Sequence, residues 1–156
     1  MKTKTFLACC VCLSLFACAT TSTPAPAPAP EPGKPAGGKS LYERLGGMDA
    51  IKAVVSDFID AQASDPKLHH FYEKTDTKYL KGQISDFVCQ AAGGPCKYTG
   101  MDMKDAHDGR HVHDEDFNVT VGHLVDTLNK YKVPEAEQKE LLALLGPLKP
   151  DIVEKK

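Results

Sequence analysis

One stretch of the chain, residues 87–107, constrains its fold and function more than any other. Apolar residues at helical spacing lead into it and predict a helix with one apolar face: Leu80, Ile84, Phe87, Val88 and Ala91. The pair Gly93-Gly94 ends this helix, and a loop containing Gly100 leads on to His107. If the loop folds back, the His107 imidazole faces the apolar helix across a gap. Such a gap suits a flat, mostly apolar ligand that carries a metal.

The start of the chain is predicted to be an export signal. Basic residues at positions 1–4 precede an apolar run, 5–17, that is too short to span a bilayer, so residues 1–17 are assigned as a secretory signal peptide. The sequence Leu15-Phe16-Ala17-Cys18 resembles the bacterial lipoprotein signal, in which an acylated cysteine becomes the new N-terminus. Phe16 is bulkier than the usual residue of that motif. Ordinary signal-peptidase cleavage nearby is the alternative.

Residues 18–39 are predicted to form a linker rich in proline and alanine, with PAPAPAPEPGKPAGG at its centre. Alternating prolines favour an extended, semi-rigid chain of ~3.1 Å per residue, which cannot form a packed core. We expect this linker, lipid-anchored at Cys18, to hold a domain off a membrane surface. Since Ala19 stands where many inner-membrane lipoproteins have aspartate, we expect the outer membrane, facing the periplasm.

Residues 40–156 are enough for one domain with a hydrophobic core. The formal charge of −2 and the lack of a basic stripe argue against nucleic acid as a partner. The cysteines of this part of the chain are Cys89 and Cys96. In an exported protein they could form a disulfide between the helix end and the following loop, provided that their Cα atoms are close. The alternative is two small buried apolar side chains.

The rest of the sequence predicts an all-α domain, because no stretch shows the alternation of apolar and polar residues that is typical of a strand. The sequence Ser40-Leu41-Tyr42-Glu43 has the form of a capping box, which starts a helix. Asp76 or Thr77 is expected to cap the helix that carries the apolar face, and Asp114 a later one. Pro134 is expected in the first turn of the last helix, which Gly146-Pro147 should bend. A further amphipathic helix carries an apolar stripe: Ile51, Val54, Val55, Phe58 and Ile59.

The histidines raise the question of a metal site. His69 and His70 are adjacent on a predicted turn and are expected to face solvent, while His123 lies at the edge of an apolar stripe. The spacing H-x3-H-x-H at residues 107–113 could chelate zinc or nickel only if three side chains converged. A helix end of this kind is too loosely ordered to favour that. His107 differs from the others because it shares an otherwise apolar helix face with Met103.

From residue 40 onward the chain resembles the truncated haemoglobins, small bacterial globins with a two-over-two helical sandwich, and in particular their first group. The matching motifs are Leu41-Tyr42-Glu43-x-Leu45-Gly46-Gly47, Gly93-Gly94-Pro95, Tyr98-x-Gly100 and Ala106-His107. The sequence LLALLGPLKPDIVE is similar to the closing helix of the family. The resemblance implies an all-α globin fold around a haem.

The resemblance also implies roles for individual residues. His107 would be the proximal ligand of the haem iron, with Met103 packed under the porphyrin and Phe71 packed on it. Because the chain has no C-x-x-C-H motif, the cofactor is expected to be haem b. Lys78, Lys81 and Lys104 are available to pair with its carboxylates. The remaining residues expected to line the haem pocket are Leu80, Ile84, Phe87, Val88, Val112, Phe117, Val121 and Leu124.

The expected distal pocket comprises Ile59, Tyr79, Leu80 and Gln83, and it departs from the family. Many relatives have tyrosine at the position of Ile59 and glutamine at that of Leu80, where they hydrogen-bond oxygen. Some have an iron-binding histidine at the position of Gln83. Without a donor, oxygen should leave faster and oxidise the iron more readily, whereas NO and CO should be affected less. Gln83 or Tyr79 could still turn inward as a donor.

The expected function is therefore reversible binding of a diatomic gas at haem iron. It would serve oxygen carriage, or NO and redox sensing, at the cell envelope with an unidentified electron donor. One alternative is a haem enzyme, either an NO dioxygenase or a weak peroxidase. The aliphatic pocket, the lack of a flavin or nicotinamide motif and the lack of a distal acid–base residue argue against it. The other is a haem-free globin-like interaction module, which would not need His107.

Overall fold

The computed structural model describes residues 38–154, and the regular structure in this range is helical, which confirms the all-α prediction. The α-helices are α1 (Leu41–Arg44), α2 (Gly47–Ser64), α3 (Thr77–Ala91), α4 (Met103–His107), α5 (Asp114–Lys130), α6 (Glu135–Leu145) and α7 (Lys149–Ile152). Short 3-10 helices span His69–Phe71 and Gly146–Leu148.

The predicted signal peptide, Cys18 and almost all of the predicted linker lie outside the described residues. Within residues 38–154, no helix combines the length and the apolar composition that crossing a membrane requires. The lipid anchor therefore stays a prediction from the sequence.

The predicted capping box starts α1. The Ser40 hydroxyl accepts the Glu43 N–H at 3.2 Å, and the Glu43 carboxylate accepts the Ser40 N–H at 2.8 Å. These bonds satisfy amides that the first turn of a helix leaves free. Gly46, in the left-handed region at φ 96°, then turns the chain into α2.

The core forms where α2 packs between α3 and α5, and where α1 packs on α6. Helix α2 presents its apolar stripe inward, and Asp76 caps α3 by accepting the Tyr79 N–H at 3.0 Å. Arg44 ties α1 to α6 by ion pairs with Glu137, at 2.9 Å, and with Glu140. The buried core residues are Leu41, Ile51, Val55, Ile59, Val88, Cys89, Ala92, Leu128 and Leu141.

The end of α3 is joined covalently to the loop that follows it. Cys89 is fully buried and forms a disulfide with Cys96, with Cα atoms 5.8 Å apart. The Gly94 N–H donates to the Cys89 carbonyl oxygen at 2.8 Å, so the turn packs directly on the last turn of the helix. The loop towards α4 therefore starts from a fixed point.

The predicted ends of two helices need correction. His113 rather than Asp114 is the N-cap of α5, and the Asp116 carboxylate accepts the His113 N–H at 2.9 Å. Pro134 is the N-cap of α6 rather than a member of its first turn. The bend predicted at Gly146-Pro147 is present as the 3-10 helix between α6 and α7.

Gly94→Ala should destabilise the domain. A Cβ atom at this position would lie 2.6 Å from Cys89 Sγ, 2.6 Å from the Tyr42 ring and 2.8 Å from the Cys89 carbonyl oxygen. Because backbone and disulfide cannot easily give way, the free energy of unfolding in urea should fall by about 1–3 kcal/mol.

Gly122→Ala is the matched control, since nothing lies within 4 Å of a Cβ atom at this position on α5. It should stabilise the helix by up to ~1 kcal/mol. Equal effects of the two substitutions would contradict the tight packing around Gly94.

Candidate functional site

A cavity of about 650 Å³ lies among α2, α3, α4 and α5. All of the residues that the sequence assigned to the pocket line it, although they come from distant parts of the chain. They are Ile59, Phe71, Tyr79, Leu80, Gln83, Ile84, Phe87, Val88, Met103, His107, Val112, Phe117, Val121 and Leu124. The structure therefore brings the predicted set together around one space.

His107 ends α4, a five-residue helix that Asp102 caps by accepting the Asp105 N–H at 2.8 Å. The His107 Nδ1 atom lies 2.7 Å from the Met103 carbonyl oxygen. Because a carbonyl oxygen can only accept, this contact places the ring proton on Nδ1. The lone pair of Nε2 is then free to bind a metal.

The metal-binding side chains around the cavity fit a metal ion whose other ligands are supplied by a ring-shaped cofactor. Within residues 38–154, no group of three or more His, Cys, Asp or Glu side chains is arranged to hold an ion. His111 instead pairs with Glu154 at 3.0 Å, and His123 with Asp65 at 2.8 Å. A single imidazole facing an apolar cavity can supply one axial ligand, so the other ligands must come with the group.

The loop before α4 is anchored to α3 by Tyr98 as well as by the disulfide. The Tyr98 N–H donates to the Gln90 amide oxygen at 2.8 Å, and its ring packs edge-on against Phe87 with centroids 5.2 Å apart. Its hydroxyl donates to the Met101 carbonyl oxygen at 2.6 Å, two residues before α4 begins. These contacts fix the approach of the chain to His107.

The C-terminal segment supports the other side of α4, on which α7 packs. The Glu154 carboxylate accepts the His111 N–H at 2.8 Å, which lowers the pKa of Glu154. The Glu154 N–H donates to the Val112 carbonyl oxygen at 2.9 Å. The turn that follows His107 is thus held on both sides.

Few polar side chains line the cavity, and most are already bonded. The hydroxyls of Thr75 and Thr120 donate to the Phe71 carbonyl and to the Gln62 amide oxygen at 3.2 and 3.1 Å. The buried Gln83 amide oxygen has no partner among the described residues. Tyr79 is 65% exposed and lies at the rim.

The polar residues of the cavity wall that sequence reasoning missed include Gln62, Tyr72 and Arg110. Gln62 is buried three residues after Ile59, where it interrupts the apolar face of α2. Tyr72 directly follows Phe71, and burial raises its pKa to about 12 against a small opposing effect of the Arg110 charge. For Gln62 and Tyr72, the only available signal in the sequence was a position close to a predicted wall residue.

Comparison with known proteins agrees with this geometry. Residues 40–154 match the sequence model of the protein family described as bacterial-like globin. The chain is 38% identical to a group 1 truncated haemoglobin of Mycolicibacterium paratuberculosis, over 72% of this chain and 83% of that protein. It is 31% identical to a group 1 truncated haemoglobin of Tetrahymena pyriformis, over 75% of this chain and 97% of that protein.

Solved structures are similar as well. The crystal structure of the Tetrahymena pyriformis truncated haemoglobin in its Fe(III) form matches with a TM-score of 0.71 and 31% identity, covering 75% of this chain and 100% of that chain. A Synechococcus 2/2 haemoglobin, in the cyanomet state and with covalently attached haem, gives a TM-score of 0.70 and 28% identity with the same coverage.

The Tyr72 phenol should ionise last in an alkaline titration of the haem-free protein, with a pKa of about 12 instead of the ordinary 10.0. Between these values the unfolded chain loses the phenol proton and the folded chain keeps it. The Tyr72 contribution to stability is thus present below pH 10 and is lost as the pH rises through about 12.

Phenolate absorbance measures this step directly. Tyr72→Phe should remove the last step, and Tyr131→Phe should leave it in place. If all tyrosines of the wild type ionise well below pH 12, the Tyr72 phenol is not buried.

Proposed function

The chain is a bacterial-like globin and a member of the group 1 truncated haemoglobins, and from this premise we propose that it binds haem b and reversibly takes up a diatomic gas at the cell envelope. Family membership makes it a haem-binding globin. The free Nε2 atom of His107, facing an apolar cavity, is the observation that carries the proposal. When bound, haem supplies an iron that can take up oxygen, NO or CO.

His107 is the proposed proximal ligand. The Met103 carbonyl oxygen, 2.7 Å from Nδ1, fixes the tautomer and the ring orientation. Phe71, Phe87 and Leu124 supply apolar walls that exclude water from the space in front of the imidazole. Exclusion of water slows oxidation of the iron and retains the apolar ring.

Haem b, held without covalent bonds, is the form that the cysteines support. The chain contains no C-x-x-C-H motif, and Cys89 and Cys96 are joined to each other. Neither thiol is therefore available to form a thioether with the ring. Retention of the cofactor therefore includes the His107 bond and the contacts with the apolar walls.

The distal wall favours NO or redox sensing over oxygen storage. Ile59 is 1% exposed and aliphatic, and Leu80 lines the same cavity, so neither donates a hydrogen bond. Gln83 is the polar side chain of this wall whose amide oxygen lacks a partner among the described residues. An aliphatic wall gives little support to an oxygen-dependent enzyme, and the haem-enzyme alternative is not favoured.

The envelope location is proposed from the sequence alone. A signal peptide, a lipid anchor at Cys18 and a Pro/Ala-rich linker would place the globin domain at the outer membrane, facing the periplasm. An electron donor from the same compartment would return the iron to its ferrous state. Residues 1–37 lie outside the described part of the chain.

His107→Ala should weaken or shift the Soret band of the full chain, because it removes the one imidazole that lines the cavity among the described residues. Absorption spectra of the ferric and ferrous proteins measure this. Added imidazole should restore the wild-type spectrum by filling the vacated space.

His69→Ala, an exposed histidine, is the matched control and should leave the spectrum unchanged. Identical spectra for the wild type and His107→Ala would refute proximal ligation. Failure of the wild type to take up haem would leave the haem-free interaction module.

Leu80→Gln should slow oxygen release from the ferrous protein by about tenfold, since a new donor in the cavity adds one hydrogen bond. Stopped-flow displacement of oxygen by CO measures the rate. Leu80→Met controls for the change of shape and should leave the rate near that of the wild type. An unchanged rate in Leu80→Gln would show that another side chain already donates.

A further inference from the structure

We infer that Tyr72 and Arg110 together bind one carboxylate of the haem at the edge of the cavity. The inference rests on the proposed function, because haem b brings propionate carboxylates to whatever site holds its ring. It assigns residues to a part of the cofactor that His107 and the apolar walls do not touch.

Tyr72 offers a fixed hydroxyl that has no acceptor. Its N–H donates to the His69 carbonyl oxygen at 2.8 Å, and its own carbonyl accepts the Thr75 N–H at 3.0 Å, so its backbone is held on both sides. Its side chain lines the cavity, and its hydroxyl takes part in none of the side-chain hydrogen bonds among residues 38–154. By contrast, the cavity hydroxyls of Thr75, Tyr98 and Thr120 all donate to protein oxygens.

The Tyr72 phenol is neutral at neutral pH, as tyrosine ordinarily is, and burial raises its pKa further, to about 12. A neutral phenol can donate to an anion, and a hydrogen bond to a carboxylate is stronger than one to a neutral oxygen. A carboxylate would therefore satisfy this group better than a water molecule or an amide.

Arg110 supplies the charge. It lines the same cavity as Tyr72, and its positive charge opposes the rise in the pKa of Tyr72 that burial causes. Its N–H donates to the His107 carbonyl oxygen at 3.1 Å, so its backbone is tied to the turn that carries the iron ligand. Its guanidinium forms no ion pair with the described carboxylates, and its planar fork suits a carboxylate.

The lysines that the sequence analysis offered as partners of the haem carboxylates lie in less suitable positions than Arg110. Lys81 is engaged by Asp60 at 2.7 Å, and neither Lys78 nor Lys104 belongs to the described lining of the cavity. Arg110 is the one Lys or Arg residue of that lining. Its exposed head group at the cavity edge matches a ring whose acidic side chains remain near water.

Haem dimethyl ester tests the assignment, because it keeps the ring and the iron but lacks the carboxylates. The affinities of the full chain for haem and for the ester are measured by absorption titration in the wild type, Tyr72→Phe, Arg110→Gln and the control Lys104→Gln. The wild type and Lys104→Gln should bind haem about tenfold more tightly than the ester. Tyr72→Phe and Arg110→Gln should lose most of this preference through weaker haem binding, with the affinity for the ester nearly unchanged.

The possible outcomes separate this inference from the proposed function. If the wild type binds neither compound, the proposed function fails. If it binds both equally, the function stands and the carboxylate site is refuted. The inference also fails if the preference survives in both Tyr72→Phe and Arg110→Gln, or is lost only in Lys104→Gln. Equal weakening of both compounds by Tyr72→Phe would mean that the phenol contacts the ring instead, which overturns the assignment. Circular dichroism of each variant verifies folding.

Discussion

The hydrogen bond from His107 Nδ1 to the Met103 carbonyl oxygen determines what the site can do. At 2.7 Å it leaves Nε2 as the single free donor atom and directs the imidazole to the cavity. The bond lies within one turn of α4, so it exists only while this helix is intact. Helix α4 has five residues and no fully buried side chain, which is too short to be stable alone. The position of His107, the proposed iron ligand, therefore depends on contacts made by the segments on either side of α4.

Those contacts hold the loop between α3 and α4 along its whole length. The disulfide, the packing around Gly94 and the Tyr98 bonds fix its start and middle, and the Asp102 cap fixes its end. After His107, the bond between Arg110 and the His107 carbonyl fixes the chain again. A weak helix can thus present a precise ligand because its neighbours are tied to the core of the domain.

Local patterns in the sequence were sufficient for the helices and for the apolar face of α3 that lines the cavity. The Ser40 capping box, the glycines that follow α3 and the apolar spacing within it act over a few residues, so a linear reading finds them. The choice between His113 and Asp114 as a cap depended on which side chain Asp116 reaches, which is a matter of geometry. The disulfide was left open because it requires Cα atoms to be close in space.

Tyr72 and Arg110 show why the polar part of the site could not be predicted in the same way. They are far apart in sequence, and each alone looks like an ordinary turn or surface residue. Their meaning comes from a shared cavity in which the hydroxyls of Thr75, Tyr98 and Thr120 are already bonded. The same cavity leaves apolar walls without packing partners, so a ring that fills it restores contacts that the haem-free domain lacks. Since the ligand binds the folded state, haem affinity and the stability of the domain are thermodynamically linked, and every residue that retains the ring also stabilises the fold.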